Sequence, residues 1–256
     1  MPLLDSFILG IVEGITEFLP ISSTGHMILV SNLLGLFQTD FLKSFEIIIQ
    51  LGAITAVIFL YWRSFLKISV WQKVLTAFLP TGIIGFFLYK FIKQYLIGNE
   101  AVVLWALIIG GVALIIFEKI HKEKEEANGE IENISYKQAL GIGIFQSLAV
   151  IPGLSRSAAT IVGGLILGLK RETIIKFSFL LAIPTMLAAS GWDLLNSAGS
   201  FISGDFQVLA IGFIVSFLTA LVTIKWLLSF VQKHNFVSFG IYRILVAGIF
   251  WLFILR

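Results

Sequence analysis

The sequence predicts an all-α polytopic membrane protein with six transmembrane helices and two re-entrant helical hairpins in an inverted-topology repeat. Of its 256 residues, 58% are hydrophobic and 13% are charged, and the mean hydropathy is +0.98. These values lie far outside the range of a soluble globular domain. Because apolar stretches recur from end to end, we expect a single integral membrane domain over residues 1–256. Its partner is then the lipid bilayer, and no nucleic acid is expected.

Six apolar stretches are near or above the length needed to cross roughly 30 Å of hydrocarbon. They are residues 41–62, 74–95, 102–117, 173–195, 206–230 and 239–255. The chain has no cysteine, which excludes a disulfide framework and a thiolate metal site. These six stretches are the predicted transmembrane helices.

Two further apolar regions, residues 6–36 and 137–169, are interrupted near their middles by residues 19–26 and 151–157. Each interruption combines proline, glycine and residues that favour a helix N-cap. Each half has only about 12 to 14 residues, which is too short to cross the bilayer. The pattern therefore favours a helix–break–helix hairpin that enters the membrane and returns to the same side.

The two halves of the sequence resemble each other weakly. Gly10 and Gly143 are 133 positions apart, and Pro20 and Pro152 are 132 apart, which suggests that one residue is missing from the second motif. The predicted repeats cover about residues 1–118 and 137–256 and are joined by a hydrophilic loop, 119–136. An odd number of spans, three, separates the hairpins, so we expect them to enter from opposite faces and to meet near the bilayer midplane.

Lysine and arginine residues predict the orientation, because basic residues are enriched on the cytoplasmic side. Thirteen are assigned to one face: Arg63, Lys67, Lys73, Lys119, Lys122, Lys124, Lys137, Lys170, Arg171, Lys176, Lys225, Lys233 and Arg243. Four are assigned to the other: Lys43, Lys90, Lys93 and Arg256. Both termini are then outside the cell, and the first hairpin enters from outside. The glycine pairs at 110–111 and 163–164 permit close helix packing and suggest a homodimer.

Glu13 and Glu17 are four residues apart in a predicted helix, so their carboxylates share one face. Two anions at membrane depth are costly unless a cation, a proton or water compensates them. One interpretation is a site for Mg²⁺ or Ca²⁺, with water and phosphate oxygens as the remaining ligands. Another is a pair that faces a water-filled vestibule without metal. The proximity also permits one carboxyl group to act as a base.

The first break contains Ser22, Ser23, Thr24 and His26. Serine and threonine favour the N-cap, so the second half-helix is expected to begin here with free N–H groups directed at the midplane. Such an N-terminus binds anions. Ser23 and His26 are three residues apart, which suggests a nucleophile and its base. The alternative is that the hydroxyls only cap the helix and that the histidine satisfies backbone groups.

The second break contains Ser155, Arg156, Ser157 and, slightly later, Thr160. The arginine fork suits bidentate contact with a phosphate group, and the hydroxyls can add donors. An intramembrane ion pair between Arg156 and Glu13 or Glu17 is the structural alternative. Arg156 can form this ion pair and also bind a phosphate group at the same site.

The segments EGITEFLPISSTGH at 13–26 and PGLSRSAAT at 152–160 together resemble the paired signature of the undecaprenyl-diphosphate phosphatase family associated with bacitracin resistance. The resemblance covers essentially the whole chain. It implies a bacterial plasma-membrane enzyme that removes the terminal phosphate of undecaprenyl diphosphate on the outer side, recycling the carrier lipid of cell-wall synthesis. Carried over by position, it implies a functional core of Glu13, Glu17, Ser23, His26 and Arg156.

We expect metal-assisted phosphoryl transfer in which Ser23 attacks the terminal phosphorus. His26 or Glu17 then accepts the serine proton or protonates the leaving group. Direct attack by water is the alternative. A different class of function is also open, because inverted repeats with paired hairpins occur in carriers: the chain would then flip a polyprenyl phosphate across the bilayer.

Overall fold

The computed structural model describes residues 1–37, 39–96, 99–122, 129–197 and 206–254, and these residues are almost entirely helical. Ten α-helices lie within those ranges: α1 (Leu3–Thr16), α2 (Ser23–Leu33), α3 (Asp40–Phe65), α4 (Ile68–Phe91), α5 (Glu100–Ile120), α6 (Tyr136–Gln146), α7 (Arg156–Ile166), α8 (Arg171–Ser197), α9 (Phe206–Val231) and α10 (Val237–Ile254). A π-helical turn, Ile92–Leu96, extends α4, and 3₁₀ turns lie at Ile131–Asn133 and Ser147–Val150.

Five helices are long and apolar enough to cross a membrane, and they coincide with five of the six predicted spans. They run over Phe41–Ser64, Ile68–Leu88, Glu100–Ile120, Arg171–Gly191 and Phe206–Val231. The sixth predicted span is α10, whose apolar part, Val237–Leu252, is shorter than these. The prediction of a polytopic, all-helical membrane protein is therefore confirmed at this coarser level.

The four half-helices flank the two predicted breaks. α1 ends at Thr16 and α2 begins at Ser23, while α6 ends at Gln146 and α7 begins at Arg156. Ser22 caps α2 by accepting from the backbone N–H of Gly25, and Ser155 caps α7 in the same way from Ala158. The predicted start of a half-helix in each motif is thus confirmed.

Ser22 and Ser155 also share an uncommon backbone conformation, with φ of 74° and 75°. Left-handed φ values in a serine cost on the order of 1–3 kcal/mol and persist only where the surroundings hold them. The two serines are 133 positions apart, as are the left-handed glycines Gly35 and Gly168, which follow α2 and α7. The predicted loss of one residue within the second motif is therefore wrong: the structural correspondence stays at 133 through both half-helices.

Helix packing follows the same correspondence. α1 packs on α9 as α6 packs on α4, and α3 packs on α9 as α8 packs on α4. Two further pairs join equivalent helices to each other, α3 with α8 and α5 with α10. Each hairpin is therefore seated against the fourth helix of the opposite half, which brings the two breaks toward each other.

Two sequence expectations change once the helices are packed. The guanidinium of Arg243, assigned to the cytoplasmic face, is 0% exposed and lies inside the protein. The glycine pairs are used within the chain: a Cβ at Gly111 would lie 2.7 Å from the Gly240 carbonyl, and one at Gly164 would lie 2.3 Å from Ile174. Those glycines therefore give no support to a homodimer. Lys124 and Arg256 lie outside the described residues.

Candidate active site

Glu17, at the end of α1, is the centre of the buried polar cluster. Its Oε2 accepts a hydrogen bond from the Ser23 hydroxyl at 2.5 Å, and its Oε1 accepts one from Nη2 of Arg156 at 2.7 Å. Glu17 is 7% exposed and Ser23 is 8% exposed, so both contacts are shielded from bulk solvent. One carboxylate therefore joins the first residue of α2 to the first residue of α7, which is the split arrangement that the motifs predicted.

The second terminal nitrogen of Arg156 binds to Ser178 on α8. Nη1 donates to the Ser178 carbonyl at 2.8 Å and lies 3.3 Å from the Ser178 hydroxyl, which is itself 2.6 Å from the hydroxyl of Thr160. The predicted ion pair with Glu17 is present, and the planar fork is held on both sides. Ser178 was not singled out from the sequence.

Glu13 lies one turn before Glu17 on α1 and is 2% exposed. In the part of the chain that the structure describes, its Oε1 has no hydrogen-bond partner. The charged groups around it are Glu17, Glu46 and Arg156. A buried carboxylate oxygen without a donor fits a cation ligand, because burial of an uncompensated anion is costly.

The described residues contain no group of three or more His, Cys, Asp or Glu side chains able to hold a metal ion. Glu13 and Glu17 can therefore supply only part of a coordination shell. That is the donor set that Mg²⁺ commonly accepts, since it retains several waters and binds phosphate oxygens through one or two carboxylates. The residues present fit a divalent cation that is bound together with a phosphate ligand.

His26 does not pair with Ser23 in the structure. Its Nδ1 lies 2.8 Å from the Ser22 carbonyl, and its Nε2 lies 2.9 Å from the hydroxyl of Tyr242. Since a carbonyl can only accept, Nδ1 carries the proton and Nε2 accepts from the tyrosine when the imidazole is neutral. The Ser23 hydroxyl is directed to Glu17 instead. Tyr242, on α10, was not predicted, and no local pattern links it to residue 26.

The remaining predicted substrate-binding hydroxyls are largely engaged. Ser22 and Ser155 act as caps, and the Ser157 hydroxyl donates to the Phe18 carbonyl across the two hairpins at 2.8 Å. Thr24 is exposed, apart from the buried cluster. Thr160, which is fully buried, contacts Ser178 and its own helix. These residues shape and connect the breaks, while Glu13, Glu17, Ser23 and Arg156 form the compact polar group.

This compact group can perform the elements of phosphoryl transfer. A hydroxyl is hydrogen-bonded to a carboxylate that can take its proton, and a guanidinium lies beside the same carboxylate. Both half-helices begin at this place with their N-termini, where backbone N–H groups favour an anion. The set therefore suits an anionic phosphate ligand held between the two breaks.

Comparison with known proteins decides the family. A family model described as bacitracin resistance protein BacA matches residues 6–249. The chain belongs to the BacA family. It is 52% identical over 252 residues to the undecaprenyl-diphosphatase of Aquifex aeolicus, with 98% of each chain covered. It is 51% identical over 256 residues to the undecaprenyl-diphosphatase of Wolinella succinogenes, with 100% of this chain and 99% of the relative covered.

The family membership agrees with the resemblance found in the two motifs. The match covers both breaks and the five helices that are long and apolar enough to cross a membrane, so it includes the whole polar cluster. The family assignment made from the two motifs is confirmed.

Proposed function

We propose that this protein hydrolyses the terminal phosphate of undecaprenyl diphosphate, releasing undecaprenyl phosphate and inorganic phosphate. The observation that carries the proposal is the buried contact between Ser23 and Glu17, next to Arg156. It places a nucleophile, a proton acceptor and a phosphate-binding cation in one cluster inside a membrane protein. The near full-length identity to undecaprenyl-diphosphatases gives the substrate.

In the proposed reaction, Ser23 Oγ forms a bond to the terminal phosphorus and its proton passes to Glu17 Oε2. The bond from that phosphorus to the bridging oxygen breaks, and undecaprenyl phosphate leaves. Arg156 stabilises the negative charge on the transferred group. Water then attacks the phosphoserine, Glu17 returns its proton to Ser23 Oγ, and inorganic phosphate leaves with one proton released to solvent. Glu17 takes the role of base here because the carboxylate, and not His26, accepts from the serine.

A divalent cation, Mg²⁺ or Ca²⁺, is part of the proposal. Glu13 and Glu17 would hold it, and the bound ion would supply charge neutralisation at the phosphate oxygens. The unpartnered Oε1 of Glu13 supports this assignment. Glu13 thereby acts as a ligand, while Glu17 is shared between the ion and the serine proton.

The proposed topology is an inverted repeat of six spans and two re-entrant hairpins in a bacterial plasma membrane, with the site opening outward and both termini outside. Two observations support the repeat: equivalent helices of the two halves make matching contacts, and the left-handed serines and the left-handed glycines are both 133 residues apart. A reporter fused after Arg256 should read extracytoplasmic, and one inserted near Asn128 should read cytoplasmic; both positions lie outside the described residues. Reporters that read on the same side contradict the inverted repeat. A homodimer stays a separate prediction.

The deciding experiment is phosphate release by the purified protein from a polyprenyl diphosphate in the presence of Mg²⁺. The parent should release inorganic phosphate, and Ser23→Ala should reduce release by several orders of magnitude. Acid-stable phosphoserine in a rapid-quench sample would distinguish attack by Ser23 from direct attack by water. Exchange of lipid across vesicles without phosphate release would contradict hydrolysis and support the flippase alternative.

A further inference from the structure

Arg243, on α10, is a buried cation whose hydrogen bonds all go to the backbone. It is 0% exposed. Nη1 donates to the carbonyls of Leu154 at 3.1 Å and Pro20 at 3.4 Å, and Nη2 donates to those of Ala106 and Gly153 at 3.0 Å each. An arginine inside a membrane segment is expected to have polar partners and a functional role.

Three of the four acceptors of Arg243 belong to the two breaks, and the fourth, the Ala106 carbonyl, lies on α5. Pro20 lies two residues before Ser22, and Gly153 and Leu154 directly precede Ser155. Non-helical backbone at membrane depth requires donors for its free carbonyls, because no lipid group can supply them. The single guanidinium supplies donors to the chain just before each left-handed serine, and so ties the first hairpin to the second.

Room for this arrangement is made by α5. A Cβ at Gly110 would lie 2.1 Å from Arg243 Nη2 and 2.8 Å from its Cζ. The guanidinium therefore occupies the space that any larger side chain at position 110 would fill. Gly110 offers a second route to the same contact, because an alanine there displaces Arg243 without removing its charge.

We propose that Arg243 is a positioning residue that sets the placement of the two breaks relative to each other. The break held by Pro20 leads into Ser23, and the break held by Gly153 and Leu154 leads into Arg156. These two residues meet on Glu17 only if the breaks keep their separation. Arg243 acts through them and does not touch the phosphate. The expected effect of Arg243 on turnover rests on the proposed phosphatase function. Its expected effect on the structure of the two breaks rests only on the hydrogen bonds described above.

The test uses four variants of the full-length protein in detergent: Arg243→Met, Gly110→Ala, the double variant, and Gly248→Ala as the control. Gly248 lies on the same helix as Arg243, and a Cβ there meets nothing within 4 Å. The first readout is amide hydrogen–deuterium exchange of peptides that cover residues 17–26 and 151–158. Exchange should become at least about tenfold faster in both breaks for Arg243→Met and Gly110→Ala, with α9 unchanged, and should stay at the parental rate in Gly248→Ala.

The second readout is kcat and KM for phosphate release, with the melting temperature measured in the same detergent. Misplacement of reacting groups by about 1 Å costs on the order of 100-fold in rate. Arg243→Met should therefore lose roughly 100-fold in kcat with KM within about threefold. The double variant should be no slower than Arg243→Met, because Gly110→Ala acts through the displaced guanidinium.

Faster exchange in both breaks, with a matching loss of kcat, supports the proposal. Faster exchange in only one break or in neither overturns it, whether or not the parent is active. A kcat within twofold of an active parent also overturns it, even if the melting temperature falls. If Arg243→Met does not fold, Gly110→Ala decides by the same criteria. Absence of phosphate release by the parent would count against the phosphatase function, and the exchange data would still decide whether Arg243 positions the two breaks.

Discussion

Replacement of Arg156 by lysine keeps the charge and removes the fork. In the structure Nη2 reaches Glu17 and Nη1 reaches the Ser178 carbonyl, at 2.7 and 2.8 Å. A single ammonium group on a shorter side chain cannot occupy both positions. Loss of one hydrogen bond to a charged group costs about 1.5 kcal/mol at the lower end, which corresponds to roughly tenfold in rate. Arg156→Lys should therefore lower kcat/KM for a polyprenyl diphosphate by about tenfold.

Arg156→Ala removes both donors and the charge. Loss of a preorganised donor to a transition-state oxyanion costs about 3–4 kcal/mol, so kcat should fall roughly 100- to 1,000-fold. The assay is initial-rate phosphate release, with the melting temperature measured in parallel, because Glu17 also loses its buried partner. Ser178→Ala is the matched control: it removes the 3.3 Å hydroxyl contact to Arg156 and the 2.6 Å contact to Thr160, and it leaves the carbonyl that Arg156 binds. It should lose less activity than Arg156→Lys.

The reasoning fails if Arg156→Lys turns over within twofold of the parent. It also fails if Arg156→Ala retains turnover within about twofold while its melting temperature falls. Either result would make Arg156 a structural partner of Glu17 and would remove it from the phosphate site.

Three further predictions concern the cation, the histidine and helix packing. Excess EDTA should abolish turnover, and added Mg²⁺ should restore it. Glu13→Gln should raise the Mg²⁺ concentration required for activity. Full activity of demonstrably metal-free protein would contradict the cation site. Tyr242→Phe removes the hydrogen bond between the tyrosine hydroxyl and His26 Nε2, and should lower the free energy of unfolding by about 0.5–1.5 kcal/mol with kcat close to the parental value. A loss of kcat of about tenfold or more would place His26 in the reaction. Gly14→Ala places a Cβ 2.7 Å from the Ser216 carbonyl and should cost about 1–3 kcal/mol of stability, whereas Gly85→Ala, with nothing within 4 Å, should not lower the melting temperature.

The helical membrane fold was predictable because its signals are local. Long apolar stretches predict spans, and Pro20, Ser22 and Ser155 mark interruptions through backbone and capping preferences that act over three or four residues. The pairing of Glu13 with Glu17 follows from helical periodicity. The two motifs also gave the family, since together they are specific. Each of these signals lies within a single local stretch of the sequence.

Arg243 was misassigned for a reason that the sequence already contained. It lies within the apolar stretch 239–255 that was itself predicted to cross the bilayer, and yet it was counted among the cytoplasmic basic residues. A charged residue well inside a predicted span calls for a buried partner. The partners, however, are backbone carbonyls of three other segments, and backbone groups leave no trace in the amino-acid pattern.

The sequence by itself determined that the protein lies in a lipid bilayer, where its helices and the two breaks fall, and which residue types lie at the breaks. Only the tertiary structure decided which of these residues meet. Ser23 bonds to Glu17, six residues away, and His26 to Tyr242, 216 residues away. Ser23 and His26 are three residues apart on α2, but each side chain bonds to a group outside that helix, Ser23 to Glu17 across the left-handed break and His26 to Tyr242 on α10. Which side chains then come within 3 Å depends on how α1, α7 and α10 pack, and that is a property of the whole fold.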